Sequence, residues 1–307
     1  MTAQADTPPV DVERLVELRA TNPTAITSAW AERARRPLIG TDGRLLLVAA
    51  DHPARGALGV GAKPTAMASR RELLTRLSVA LAEPGVDGVL GTADILDDLL
   101  LMGLLEHRVV IGSMNRAGLH GASFEFDDRF TGYRASDIAR LGLDGGKMLT
   151  RIALADPATA ATLEASARAV NDLAGHGVMA MVEPFWSERD SQGRVRNLLD
   201  PDSVIKSIQV ASGLAGSSAH TWLKVPVVEQ MARVLEATTL PTLLLGGDPS
   251  GSPEQAYDAW GRALACVPAR GLVVGRSLLY PPDDDVPAAV QAAVRLVHPD
   301  AVPGANS

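Results

Sequence analysis

Short apolar runs alternate along the chain with longer stretches whose apolar positions recur at helical spacing. The runs 44–50 (RLLLVAA), 86–90, 108–113, 145–149, 178–183, 220–225, 241–246 and 271–275 are predicted strands. Helices are predicted at 69–83, 93–105, 136–141, 157–175, 201–215, 226–237, 253–264 and 284–297. Three of these carry start signals: Asp156-Pro157, Asp200-Pro201 and Ser252-Pro253-Glu254 each place a capping side chain before a proline at the first helical position. Repeated strand–helix units over about 250 residues are what a (β/α)8 TIM barrel, an α/β fold, requires. An open doubly wound sheet is the competing architecture, but it uses fewer strands per domain, and no GxGxxG follows the first strand. Residues 1–36 are expected to form a helical extension, with one or two helices in 10–36 that plug the barrel's bottom or support an oligomer contact. Residues 37–298 then form a single barrel domain and 299–307 a flexible tail.

Composition narrows the partners. The 307 residues hold 29 Lys+Arg against 36 Asp+Glu, a formal net charge of −7, and 46% are hydrophobic. That apolar fraction excludes general disorder. The acidic balance argues against nucleic acid or an anionic membrane as partner, because there is no basic excess to neutralise phosphates over a broad surface. It leaves room for a small phosphorylated carbonyl substrate held by a few local donors. The single cysteine, Cys266, can form neither an internal disulfide nor a thiolate cage. The first twenty residues lack a basic region followed by an apolar core, and no apolar run approaches the roughly 20 residues of a membrane span. A cytoplasmic homo-oligomer is expected.

Barrel chemistry sits at the C-terminal ends of the strands. There the sequence places Asp51 after the first strand, Lys147 in the fourth, Glu183 at the end of the fifth and Lys224 near the end of the sixth. Strand alternation puts Lys224 on one face with Trp222 and His220, Glu183 with Met181 and Met179, and Asp51 with Ala49 and Leu47. Each residue alone has a plain reading: a turn aspartate, a lysine reaching out to solvent, a glutamate bonding loop amides. Two acids and two bases converging from four strands point to more. A lysine amine can condense with a ketone or aldehyde to an iminium, which then acts as an electron sink for carbon–carbon cleavage. Only on the order of 1 in 2,000 ordinary lysines is neutral at pH 7, whereas a depression of about three pKa units makes it roughly a quarter. Burial and a second ammonium push in that direction, and Glu183 or Asp51 can move the protons.

The seventh and eighth strands run into Gly246-Gly247-Asp248 and Gly275-Arg276-Ser277. These loops are the usual phosphate site of such barrels, with Arg276 as a charged clamp. Of eleven aromatic residues, seven (Phe124, Phe126, Phe130, Tyr133, Phe185, Trp186 and Trp222) are expected on the mouth side. The long segment 115–134 is either a lid or a packed loop at an interface. No HExxH, P-loop or Cys/His cluster is present, so no metal or other cofactor is expected; of the six histidines, His52 and His220 are the two that could approach the mouth.

Together AADHPARG around Asp51, GGKML around Lys147, VEPFW around Glu183, WLKVP around Lys224, LLLGGD and GLVVGRSLLYP resemble the class I, Schiff-base aldolase superfamily of (β/α)8 barrels. The nearest branches are the tagatose-bisphosphate and deoxyribose-phosphate aldolase-like enzymes and the archaeal-type fructose-bisphosphate aldolases. The resemblance implies Lys224 as the Schiff-base lysine and Lys147 as its electrostatic partner. It also implies Glu183 as the proton-transfer group and Asp51 as the residue orienting a carbonyl or hydroxyl. Gly246, Gly247, Gly275 and Arg276 would hold phosphate, and Arg55 and Trp222 would line the substrate site. Two departures stand out. Asp-His-Pro-Ala-Arg replaces a shorter Asp-His-Gly, which points Asp51 and Arg55 toward a different substrate. Phe185-Trp186 offers no tyrosine acid after the fifth strand, which favours Glu183. The implied activity is metal-independent cleavage of a phosphorylated ketose or a deoxy sugar acid phosphate. The alternatives are thiolase-like acyl transfer or another lyase reaction by the same lysine, or a barrel that binds a sugar phosphate without turnover.

Overall fold

The computed structural model describes residues 10–246 and 252–301. Strands β1 (Leu45–Ala49), β2 (Gly88–Gly91), β3 (Val109–Ser113), β4 (Gly145–Ile152) and β5 (Met179–Arg189) pair in sequence order. The arm β6 (Val195–Asn197) folds back antiparallel on the end of β5, and β7 (Thr221–Pro226), β8 (Thr242–Leu245) and β9 (Ala269–Val274) continue the ring. Parallel pairing of β9 with β1 closes it, so the chain forms the predicted (β/α)8 barrel.

Strands β1 to β4 are buried at every position, with helices on one side and the barrel interior on the other. They therefore read as continuous apolar runs. Alternation still sorts their side chains. Leu45, Leu47, Ala49, Met179 and Met181 meet inside the barrel, while Leu46, Val48, Ala180, Val182, Leu223 and Val225 face the helices. This register decides which residues emerge at the mouth.

Around the barrel lie α1 (Val12–Thr21), α2 (Thr24–Glu32), α3 (Arg70–Ala82), α4 (Ala93–Leu101), α5 (Ala135–Leu141), α6 (Ala158–Gly175) and α7 (Pro201–Ser212). They are followed by α8 (Met231–Leu235), α9 (Pro253–Leu264), α10 (Arg276–Leu279) and α11 (Val286–Val297). Two of the three expected caps form: Asp200 accepts from the Ser203 amide at 2.9 Å and Ser252 from the Gln255 amide at 3.3 Å, whereas Pro157 itself takes the cap position of α6 and Asp156 accepts from the Ala158 amide at 3.0 Å just outside it. Three elements differ from expectation. The helix predicted at 226–237 shrinks to α8, because Pro226 still belongs to β7 and Gln230 adopts a left-handed φ of 55° just before the helix. The single turn α10 is additional. Strand β5 runs past its predicted end to form the β6 hairpin beside the mouth.

At the bottom of the barrel, Leu38 and Ile39 pack onto the interior cluster and plug it. Two buried aspartates tie this segment down. Asp87 accepts from the Leu46 amide at 2.7 Å and from Arg36 at 2.6 Å; Asp144 accepts from the Val110 amide at 2.8 Å and from Arg35 at 3.2 Å. Each carboxylate thus satisfies a strand amide that the ladder leaves open. Among the described residues no helix is long and apolar enough to cross a membrane.

Candidate active site

Asp51 just after β1, Lys147 on β4, Glu183 on β5 and Lys224 on β7 meet at the mouth. One oxygen of Glu183 lies 2.7 Å from the Lys224 Nζ, and the other pairs with the Lys147 Nζ. Lys147 is also 3.3 Å from Asp51. Asp51 in turn accepts from the Ser113 hydroxyl at 3.2 Å and pairs with Arg116, whose Nε donates to that same hydroxyl at 2.7 Å. The result is a continuous chain of charge from Lys224 to Arg116. Its members are nearly sealed: Lys147 is 1% exposed and Lys224 4%.

Burial is the main force on both lysines, since it disfavours an ammonium. Lys147 is driven well below the usual lysine range by burial, then by the charges of Arg116 and Lys224, against the pull of Glu183. Lys224 is lowered by burial, with Glu183 opposing and Arg116 and Arg276 adding to it. For Glu183 burial favours the neutral acid, but the two lysines outweigh it and hold the carboxylate below its ordinary range. Arg116 is pushed down to about 10 by burial, against Glu183 and Asp128.

Above this chain lies a cavity of about 980 Å³. Arg55, Gly246, Gly275 and Arg276 line it together with the four central residues. Gly275 has to be glycine: a Cβ there would stand 2.3 Å from the Ala49 carbonyl oxygen, where β9 and β1 approach at the mouth. Arg151 follows Lys147 and Leu149 on the inward face of β4 and is held at 3.0 Å by both Glu125 and Asp128. Glu125 also takes Arg55 at 3.3 Å. The Asn115 side chain donates to the Leu149 carbonyl at 2.6 Å and accepts from its amide at 2.8 Å, completing the edge of β4. Segment 115–134 is thereby built into the mouth as a wall. Phe126 is buried within it beneath Arg189, 4.8 Å from the ring centroid.

One of the expected binding residues lies elsewhere. Trp222 shares the inward face of β7 with Lys224 but stands two positions earlier, nearer the strand's N-terminal end. Like Leu38 and Ile39 it packs onto the interior cluster at the bottom of the barrel, where it lines a small hollow with Leu38 and His220, and it is not part of the mouth. Gly247 falls outside the described residues. His52 does line the cavity. Ser113, Arg116, Glu125, Asp128 and Arg151 were not among the expected residues. The strand-end rule that selects Asp51 also selects Ser113 and Arg116, which close and follow the third strand. Among the described residues no three of His, Cys, Asp or Glu gather as a metal site would require.

A family model described as Cgl0159-like matches residues 43–294. The chain belongs to the Cgl0159-like family. The solved structure of Cgl0159 from Corynebacterium glutamicum (Brevibacterium flavum) is 54% identical, covers 95% of this chain and all of its own, and superposes with a TM-score of 0.93. A Schiff-base-forming fructose-1,6-bisphosphate aldolase shares 18% identity with this Cgl0159-like chain over 89% of it and 100% of the aldolase, with a TM-score of 0.65. A fructose-bisphosphate aldolase from Slackia heliotrinireducens shares 15% over 96% and 91% of the two chains, with a TM-score of 0.63. At these identities the likeness is one of fold. No curated protein sequence matches the chain.

Proposed function

We propose that this Cgl0159-like barrel is a class I aldolase, a carbon–carbon lyase acting on a phosphorylated sugar or sugar acid through an iminium on Lys224. The observation that carries this reading is the Glu183 carboxylate shared by two buried lysines under a roomy mouth. An amine held there by burial and by neighbouring cations exists in neutral form far more often than one in water. Glu183 takes the proton that Lys224 must lose before it attacks a carbonyl carbon. The resulting iminium draws the electrons of the neighbouring carbon–carbon bond as that bond breaks. The hydroxyl beyond it gives its proton to the ionised Glu183, and the carbon that bears it leaves as an aldehyde. The enamine left on Lys224 is protonated at carbon, and water then releases the ketone and restores the amine.

In this reading burial and the charges of Arg116 and Arg276 keep Lys224 weakly basic, Lys147 shares the Glu183 carboxylate with it, and Asp51 orients a substrate oxygen. Arg276 and the glycine-bearing loops after β8 and β9 hold the phosphate. The shared fold with proteins named as fructose-bisphosphate aldolases supports it. The test is proton exchange at carbon. Dihydroxyacetone phosphate in D2O should gain deuterium beside its carbonyl with the wild-type protein and not with Lys224→Met. Absence of exchange with dihydroxyacetone phosphate and with a panel of phosphorylated ketoses and sugar acids would overturn the proposal.

A further inference from the structure

Forming an iminium from the Lys224 ammonium and a carbonyl releases one water. Of the three protons on the nitrogen, one stays and two leave on the former carbonyl oxygen, so two protons must cross from nitrogen to oxygen. Glu183 can lift the first, being 2.7 Å from the nitrogen, but it holds two ammonium groups and is a weak base. Asp51 is occupied by Lys147, Ser113 and Arg116.

His52 differs from both. Its Nδ1 is buried without a hydrogen-bond partner among the described residues, with the nearest Asp51 oxygen 3.9 Å away. The ring lines the cavity and is fixed at the end of β1, ahead of the single turn Pro53–Arg55. Its Cε1 faces Gly275, where no side chain stands. Burial, then the charges of Arg276, Lys224 and Lys147, hold its pKa well below the ordinary histidine range against the pull of Glu183, so the ring rests neutral. A neutral imidazole carries one donor and one acceptor nitrogen, so it can receive a proton and return it.

We infer that His52 is a further catalytic residue, the carrier that moves protons from the Lys224 nitrogen to the substrate oxygen while the iminium forms. The inference rests on the aldolase reading above. After Lys224 yields one proton to Glu183, its lone pair bonds the carbonyl carbon and the carbonyl π pair moves to oxygen. His52 takes a proton from the now cationic nitrogen and delivers it to that oxygen. The proton held by Glu183 follows by the same route. The carbon–oxygen bond then breaks, water leaves, and the nitrogen lone pair closes the C=N bond. His52 ends neutral and Glu183 ionised, as they began.

Rapid-quench borohydride trapping with dihydroxyacetone phosphate, read as adduct mass on Lys224 against time, tests this. His52→Ala and His52→Asn should reach the wild-type adduct with half-saturation little changed, but roughly 10²- to 10⁴-fold more slowly, the range for a lost proton-transfer group. Added imidazole should accelerate His52→Ala and leave His52→Asn unchanged. Wild-type trapping rates in either variant, weakened binding at an unchanged maximal rate, or no rescue by imidazole would overturn the role of His52 alone. A wild-type protein that forms no adduct with any carbonyl probe would remove the aldolase reading and this inference with it. His52→Asn keeps a polar group of similar reach, so the test stands if His52→Ala does not fold.

Discussion

Glu183 holds two amines at once, and its removal should therefore show in two measurements. Glu183→Gln leaves buried Lys224 without its anion and Lys147 with Asp51 alone, a loss of about 3–5 kcal/mol for a broken buried pair. Urea titrations should find that loss at neutral pH and find it shrinking as pH rises, because the lysines can then shed their charge. The same variant should lower kcat by roughly 10²- to 10⁴-fold if the carboxylate transfers protons. The pH profile is the complementary test. Because Lys224 must be neutral to attack and its pKa is lowered, kcat/KM should rise with pH through an apparent pKa below the ordinary lysine value of about 10.4. A limb at the ordinary value would mean that the site does not perturb the amine. Asp51, Lys147, Glu183 and Lys224 were legible in the sequence because each is an ionisable group at the end of an apolar strand. Glu125 and Asp128 were not, because the segment after β3 has no period and only the folded loop reveals which of its charges turn inward, and Arg151 lies beyond the predicted end of the fourth strand at 149.

Among the elements, the barrel strands were readable for the reason that makes them stable: burial on both faces leaves an unbroken apolar run. The short pieces were not. A five-residue α8 and a three-residue β6 carry too few positions for any periodicity. Trp222 shows the limit of alternation, which assigns a face and leaves depth along the barrel undetermined. The helices before the barrel depend on Trp30, which is 5% exposed and donates from its ring N–H to Asp97 of α4 at 2.8 Å. Trp30→Ala should destabilise the protein by about 3–5 kcal/mol, the range for a truncated core aromatic. Thermal unfolding would read this as a clear fall in Tm. A change within error would mean that α1 and α2 contribute nothing to barrel stability.

For the whole molecule, the end of α11 is tied beneath the barrel to the segments that lead into β1 and β2. His298, which caps α11, bonds Asp87 through Nε2 at 2.9 Å and pairs with Asp42 through Nδ1. Burial works against its charge, but the bonds to Asp87 and Asp42 prevail and raise its pKa. A histidine with a raised folded pKa contributes its full stabilisation below its unfolded pKa of about 6.5 and loses it as pH climbs through the folded value. The stability difference between wild type and His298→Gln should therefore be largest below about pH 6.5 and fall as pH climbs through the raised folded value; a difference independent of pH would show that the charge is not what holds α11 to Asp42 and Asp87. Pairing of β9 with β1 closes the ring above this tie, and the closed ring brings β4, β5 and β7 side by side so that one carboxylate can reach two lysines. The most direct measurement is peptide mapping after borohydride reduction in the presence of a phosphorylated ketose. The account predicts a single added mass on the peptide that contains Lys224, absent in Lys224→Met. An adduct on any other lysine, or turnover of a phosphorylated sugar with no adduct at all, would contradict it.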